Sequence, residues 1–172
     1  MRILLVVDYQ NDFVDGSLGS PDAVSIEDAI CARMVDYIAS GDRIVLTADT
    51  HSEDYLDSLE GKLLPIRHCI EGTDGWNIHG KVGSMAAEHG LEIIRKHTFG
   101  CSELMDIMRD YDEIEICGVA TNICVTANAV ICRTANPQAR ISVRRGCVAS
   151  YDRGLGEKAL DVLRSLQIEI LP

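Results

Sequence analysis

Short unbroken apolar runs alternate with amphipathic stretches along this chain. Ile3-Leu4-Leu5-Val6-Val7 has no polar position, the pattern of a strand buried on both faces. Similar runs predict strands at 44–47, 91–94, 113–117, 140–143 and 167–171. Between them, residues 25–39 read as a helix. Ser25 with Asp28 resembles a capping box, Ile26, Ala29, Ile30, Arg33, Val35 and Ile38 form the stripe, and Gly41 is the stop. Residues 103–109 read as a helix with Leu104, Ile107 and Met108 inward, 125–134 as another, and 156–165 as one with Leu160 and Leu163 inward. Strands alternating with helices predict an α/β fold, a parallel sheet with helices on both faces. Residues 51–83, with several glycines and Pro65, read as a long irregular excursion, and such loops are usually functional.

The chemistry-bearing residues fall at predicted strand ends. Asp8, Asp49, Lys96 and the Gly118–Cys124 turn all lie just past apolar runs, and open parallel sheets bind ligands beyond the carboxyl ends of their strands. Cys124 sits where a strand passes into a helix, among unpaired N–H groups at the positive end of the helix dipole. That setting predicts a thiolate near neutral pH and donors for an oxyanion. Asp8 can act as its base, and Lys96 can hold both electrostatically. Taken singly, each has a plainer reading: a packing cysteine, a turn aspartate, a solvated lysine. Only their convergence on one rim favours chemistry. The other six cysteines read as packing residues, and Asp12 and Asp15 as cap or turn residues.

Asp49-Thr50-His51 places a carboxylate and an imidazole two apart at a strand end, so both can face one ion. His68 can fold back from the following loop, and Glu60 is the best fourth donor. Oxygen and nitrogen ligands without thiolate suit Zn²⁺, Mn²⁺ or Fe²⁺. Asp-x-His alone is a weak motif. His79, His89 and His97 have no comparable partners, and Gly154-Leu155-Gly156 is too little for a phosphate loop.

Composition narrows the classes. The 172 residues suffice for one domain with its own core, spanning 1–172, and 47% hydrophobic with 25% charged residues excludes disorder. A formal charge of −11 argues against nucleic acid. Arg144-Arg145 reads as a solvated loop pair. Met1–Val7 is too short for a signal peptide, and no run reaches transmembrane length. Seven cysteines, an odd count without Cys-x-x-Cys, predict reduced thiols in the cytoplasm.

The ordered motifs resemble the isochorismatase-like cysteine hydrolases, most closely the nicotinamidase-related amidases. They are Asp8-Tyr9-Gln10-Asn11-Asp12-Phe13, Thr47-Ala48-Asp49-Thr50-His51, Pro65 with His68-Cys69-Ile70-Glu71-Gly72-Thr73, Lys96-His97-Thr98-Phe99, and Gly118 to Val125. The resemblance implies a three-layer Rossmann-like fold, a six-stranded sheet and a triad of Asp8, Lys96 and Cys124. It implies a cis peptide between Val119 and Ala120, with the Ala120 and Cys124 N–H groups as oxyanion hole. Phe13, Gln10 and Val119 would face substrate. A divalent metal, zinc before manganese or iron, would rest on Asp49, His51 and His68 with Glu60. The implied reaction converts a small amide, nicotinamide first, to a carboxylate and ammonia through a thioester, in a homo-oligomer.

Two departures from that pattern matter. Glu53-Asp54-Tyr55-Leu56-Asp57 stands where many nicotinamidases carry a third metal histidine. Leu63 and Leu64 stand where many carry an aromatic against the pyridine, a loss of about 1 kcal/mol of stacking. Another amide, a carbamoyl compound or a ureide is therefore the alternative substrate, and the role of Trp76 stays open. A phosphoacceptor signalling domain shares the Asp8, Asp49 and Lys96 placement but has no use for the Cys124 turn.

Overall fold

The N-terminal apolar run forms β1 (Arg2–Val7), and every side chain from Ile3 to Val7 is fully buried. In the computed structural model, which describes residues 1–172, β1 lies inside a six-stranded sheet with β2 (Arg43–Asp49), β3 (Glu92–Lys96), β4 (Glu113–Val119), β5 (Arg140–Ala149) and β6 (Glu169–Leu171). Strand order is β3-β2-β1-β4-β5-β6 and every pairing is parallel. The order reverses direction between β1 and β4, the place where doubly wound sheets open a ligand crevice.

Alternation along β1 divides the core in two. Ile3, Leu5 and Val7 join α6 (Leu104–Ile107), α7 (Thr126–Ala135) and α8 (Arg153–Ser165) on one face, through Leu104, Ala129 and Leu160. Leu4 and Val6 meet α2 (Pro21–Ser25), α3 (Glu27–Ser40) and α5 (Gly80–Glu88) on the other, through Ala23, Ile30, Met34 and Val82. Burying one such aliphatic side chain contributes about 1.5–3 kcal/mol, and β1 supplies such side chains to both cores. The three-layer fold expected from the sequence is present.

Several local expectations are corrected. The helix expected over 25–39 is present as α3 but starts at Glu27; Ser25 instead closes α2, a short helix from Pro21 that the sequence pattern does not predict. Ser25 caps nothing; its hydroxyl donates to the Asp22 carbonyl, while Ser20 caps α2 by accepting from Ala23 N–H. Met34 and Tyr37 replace Val35, which is exposed, on the buried stripe of α3. Gly41 ends that helix in the left-handed region, φ 69°, where glycine carries no Cβ penalty. The excursion after β2 contains α4 (Leu59–Leu63) and short turns at Tyr55–Asp57 and Asp74–Trp76.

Arg144 is no solvated loop residue. It lies in β5, and its Nε donates to Glu115 Oε1 at 2.9 Å, while Arg33 makes a two-pronged contact with both oxygens of the same buried carboxylate at 2.8 Å. Burial alone would raise the Glu115 pKa, but the two guanidiniums hold it below the usual glutamate range. A depressed carboxyl contributes stability at pH values above its unfolded pKa and loses it as pH falls through the folded one. Glu115→Gln is therefore expected to cost about 1.5–3 kcal/mol at pH 7. In urea denaturation across pH 7 to 3, the gap between wild type and variant should close on the acid side; a constant gap would refute the assignment.

Candidate active site

Asp49 and Lys96 are the last residues of β2 and β3 and pair in register, and Asp8 follows β1 directly. The carboxyl ends of three adjacent strands thus place two carboxylates around one ammonium. Lys96 Nζ lies 2.7 Å from Asp8 Oδ2 and 3.0 Å from Asp49 Oδ1, and it donates to the Thr98 carbonyl at 2.8 Å. The buried ammonium donates to Asp49 Oδ1, the Thr98 carbonyl and Cys124 Sγ, and Asp8 balances its charge as an ion pair, as burial of a charge requires.

Cys124 comes to the same ammonium from β4. The strand approaches β1 closely at Gly118, whose φ is 110° and where a Cβ would stand 2.1 Å from the Val7 carbonyl oxygen. The Val119–Ala120 peptide is cis. Residues Thr121–Val125 then form a π-type turn, with Val125 N–H donating to the Ala120 carbonyl at 3.1 Å, before α7 begins. Such wide turns recur at functional sites. The Cys124 Sγ lies 3.7 Å from Lys96 Nζ. The Ala120 N–H donates to no protein acceptor, as an oxyanion donor must be free to do.

The expectation of a thiolate near neutral pH is corrected. Burial pushes the Cys124 thiol well up, the Asp8 charge adds to this, and Lys96 opposes both. Burial likewise pushes the Asp8 carboxyl up against the pull of Lys96. The rim thus sets a buried thiol beside a carboxylate whose basicity burial raises.

The second cluster is built on the other oxygen of Asp49. Asp49 Oδ2 lies 3.0 Å from His51 Nε2 and 3.7 Å from His68 Nε2, and Glu60 Oε1 lies 3.9 Å from both. All four ligand atoms fall within 4.8 Å of one another. Bonds of about 2.0–2.2 Å to one ion bring ligands into this range, so the donor set fits a divalent metal. Burial works against the Asp49 charge, but hydrogen bonds from the two histidines and the Lys96 charge hold its pKa well below normal.

The expected substrate role of Gln10 is not what the structure shows. Its Oε1 accepts from Asp49 N–H at 2.7 Å and its Nε2 donates to the Asp49 and Trp76 carbonyls at 2.9 and 2.7 Å. Both ends of the buried amide brace Asp49, and both of its N–H donors are committed. Trp76 also points elsewhere, donating from its ring to Thr50 Oγ1 while Arg95 stacks on it. Asp12, read as a turn residue, reaches the metal loop and accepts from Cys69 N–H at 2.8 Å. Phe13 and Val119 do line an apolar cleft of about 380 Å³, with Ala120, Ile123, Leu18, Leu64, Ile66 and Tyr151; no charged side chain lines it. Leu64 stands at the expected aromatic position, while Leu63 is exposed.

A profile of the isochorismatase domain matches residues 2–171. The chain belongs to that family. This isochorismatase-family chain is 34% identical over 165 residues to the isochorismatase family protein PncA of Bacillus subtilis strain 168, covering 88% of each. Its fold superposes on the pyrazinamidase/nicotinamidase of Streptococcus mutans with a TM-score of 0.88 and 28% identity, over 99% of this chain and 100% of that one. The pyrazinamidase of Pyrococcus horikoshii, solved in complex with zinc, matches with a TM-score of 0.84 and 27% identity, over 99% and 98%.

Two braces escaped the sequence reading. Thr47 Oγ1 donates to Asp8 Oδ1 at 2.7 Å. Asn128, fully buried in α7, donates to the Cys124 and Phe99 carbonyls and accepts from Cys101 N–H, tying the nucleophile turn to the loop after Lys96. A polar residue on the buried stripe of a predicted helix was the one available signal. Asn128→Ala leaves these backbone groups without partners and is expected to cost about 1–3 kcal/mol or more. A urea midpoint unchanged at constant slope would contradict this.

Proposed function

We propose that this amidohydrolase cleaves nicotinamide, or a similarly neutral ring amide, to the carboxylate and ammonia. The observation that carries the reading is the shared Lys96 ammonium. It holds Asp8 against the Cys124 thiol beside a cleft that has apolar walls and no charge. The names of the solved relatives support the same substrate class.

In this mechanism Asp8 accepts the thiol proton as Cys124 Sγ attacks the amide carbonyl. The Ala120 and Cys124 N–H groups receive the developing oxyanion, worth about 2.7–4 kcal/mol per donor in comparable sites. Asp8 returns the proton to departing ammonia, and a thioester remains. Asp8 then draws a proton from water as it attacks the thioester, which releases the acid and restores the thiol. Lys96 keeps Asp8 ionised at the start of each cycle.

Asp49, His51, Glu60 and His68 would hold zinc, consistent with a donor set of two imidazoles and two carboxylates. Bound there, the ion supplies Lewis-acid polarisation of the substrate ring or of water. Ureides and carbamoyl compounds fit the cleft less well. They carry several polar groups that need partners when buried, and Ser17, Ser20 and Ser150 are the only polar residues lining it. Seven free cysteines support a reducing cytoplasmic setting, and no helix is long and apolar enough to cross a membrane. A homo-oligomer remains part of this reading by analogy with the family.

Ammonia release from nicotinamide tests the reaction. Cys124→Ala should lower kcat by at least about 10³-fold; wild-type inactivity on nicotinamide by a zinc-loaded sample would overturn the substrate. Zinc titration tests the metal site. Gln10→Ala, which unbraces Asp49, should weaken affinity by about 10- to 100-fold, and zinc binding that survives both Gln10→Ala and His68→Ala unaltered would remove zinc from these residues. Leu64→Trp should lower KM for nicotinamide by about twofold to tenfold through restored stacking; an unchanged KM would show that this wall does not face the ring.

A further inference from the structure

Ser150 directly follows β5 at the carboxyl rim of the sheet, 6% exposed. Its hydroxyl donates to Asn122 Oδ1 at 2.7 Å and accepts from Asn122 N–H at 3.3 Å. Asn122 is the second residue of the Thr121–Val125 turn and stands two positions before Cys124. One hydroxyl therefore grips both the side chain and the backbone of the turn that carries the thiol. Asn128 holds the other end of the turn through the Cys124 carbonyl.

Helix α8 backs this grip. At Gly156 a Cβ would stand 3.0 Å from Ser150 Oγ and 3.1 Å from Ser150 Cβ. A side chain at 156 would press on the serine more tightly than ordinary contact, so Ser150 or α8 would have to give by a few tenths of an ångström. Ser150 also borders the apolar cleft, yet its proton is committed to Asn122, so it is spent on the turn rather than on a ligand.

We propose that the Ser150–Asn122 pair, seated on Gly156, is the positioning device of the nucleophile turn. It sets the rotation of residues 120–124, so that Cys124 Sγ and the Ala120 N–H address one carbonyl group. Ser150 acts through Asn122 and is a positioning residue. The inference rests on Cys124 being the nucleophile of the preceding reading, but not on the identity of the amide.

Two reactions of the thiol separate alignment from reactivity. With p-nitrophenyl acetate, the sulfur attacks the ester carbonyl, a thioester forms and p-nitrophenolate leaves, so the oxyanion donors must be aligned. With iodoacetamide, the sulfur displaces iodide from a methylene carbon, and no oxyanion forms. In Ser150→Ala, acylation should fall by about 10- to 100-fold while alkylation stays within about twofold. Gly156→Ala should move in the same direction, and Asn122→Asp, which keeps the acceptor oxygen and the N–H for Ser150, should retain acylation. Should Ser150→Ala not fold, Asn122→Leu, which leaves β5 and α8 untouched, carries the same expectation. Acylation equal to wild type in folded variants would overturn the proposal. So would acylation and alkylation falling together with Tm, the mark of a general structural role. A wild type that is alkylated but never acylated at Cys124 would instead overturn the nucleophile assignment, and the positioning role with it.

Discussion

A single buried ammonium organises this end of the molecule. Lys96 is fully enclosed between Asp8, Asp49 and the Thr98 carbonyl. Removing a cation from water costs several kcal/mol, which only close opposite charges and complete hydrogen bonding offset. Two carboxylates and one cation leave a net negative charge on the cluster. A thiol facing it therefore stays protonated, and a divalent cation on the far oxygen of Asp49 would be favoured. The same residue thus divides the rim into an Asp8–Cys124 half and a half with a metal-type donor set, and Asp49 borders both.

The arrangement depends on sheet register. Asp49 and Lys96 are cross-strand partners at the ends of β2 and β3, and Val7 is the partner of Gly118. Asp8 and the nucleophile turn consequently rise on either side of the point where strand order reverses. Placement of the rim groups then falls to polar side chains around them. Thr47 orients Asp8, Gln10 fixes the Asp49 backbone, Asn128 and Ser150 hold the two ends of the turn, and Asp12 ties down the metal loop. Each satisfies buried polar groups that would otherwise cost stability, so the same bonds that stabilise the rim also order it.

The cleft has a different logic. Its walls are aliphatic except for Phe13, the exposed Tyr151 and three serines, and none of its lining residues is charged. On the proposed reading, the polar amide would be met by the turn and the Asp49 cluster, and the body of the substrate by apolar surface. Leu64 in place of an aromatic leaves stacking to Phe13, whose ring also packs 5.4 Å from His68.

Strand identity is legible in the chain because an unbroken apolar run reads as a segment buried on both faces, and rim placement follows because strand ends are local features. The series Asp8, Asp49, Lys96, Cys124 is therefore readable as one site from the chain alone. Helix bounds are less legible: Ser20 and Pro21 start a short separate helix, α2, that the local apolar pattern does not show. The partners of Gln10, Asp12 and Ser150 are invisible in the chain, since each bond joins residues far apart in sequence, 39 positions for Gln10 and Asp49, 57 for Asp12 and Cys69 and 28 for Ser150 and Asn122. The state of the thiol is misjudged from local pattern for a related reason. A helix start predicts a low pKa from its own dipole, but burial beside Asp8 outweighs it, and burial is a property of the assembled layers. The sequence by itself determined the order of strands along the chain and the chemistry at their ends; the tertiary structure decided which polar groups meet in the low-dielectric space between them, because desolvation and hydrogen-bond partnership exist only once the layers close.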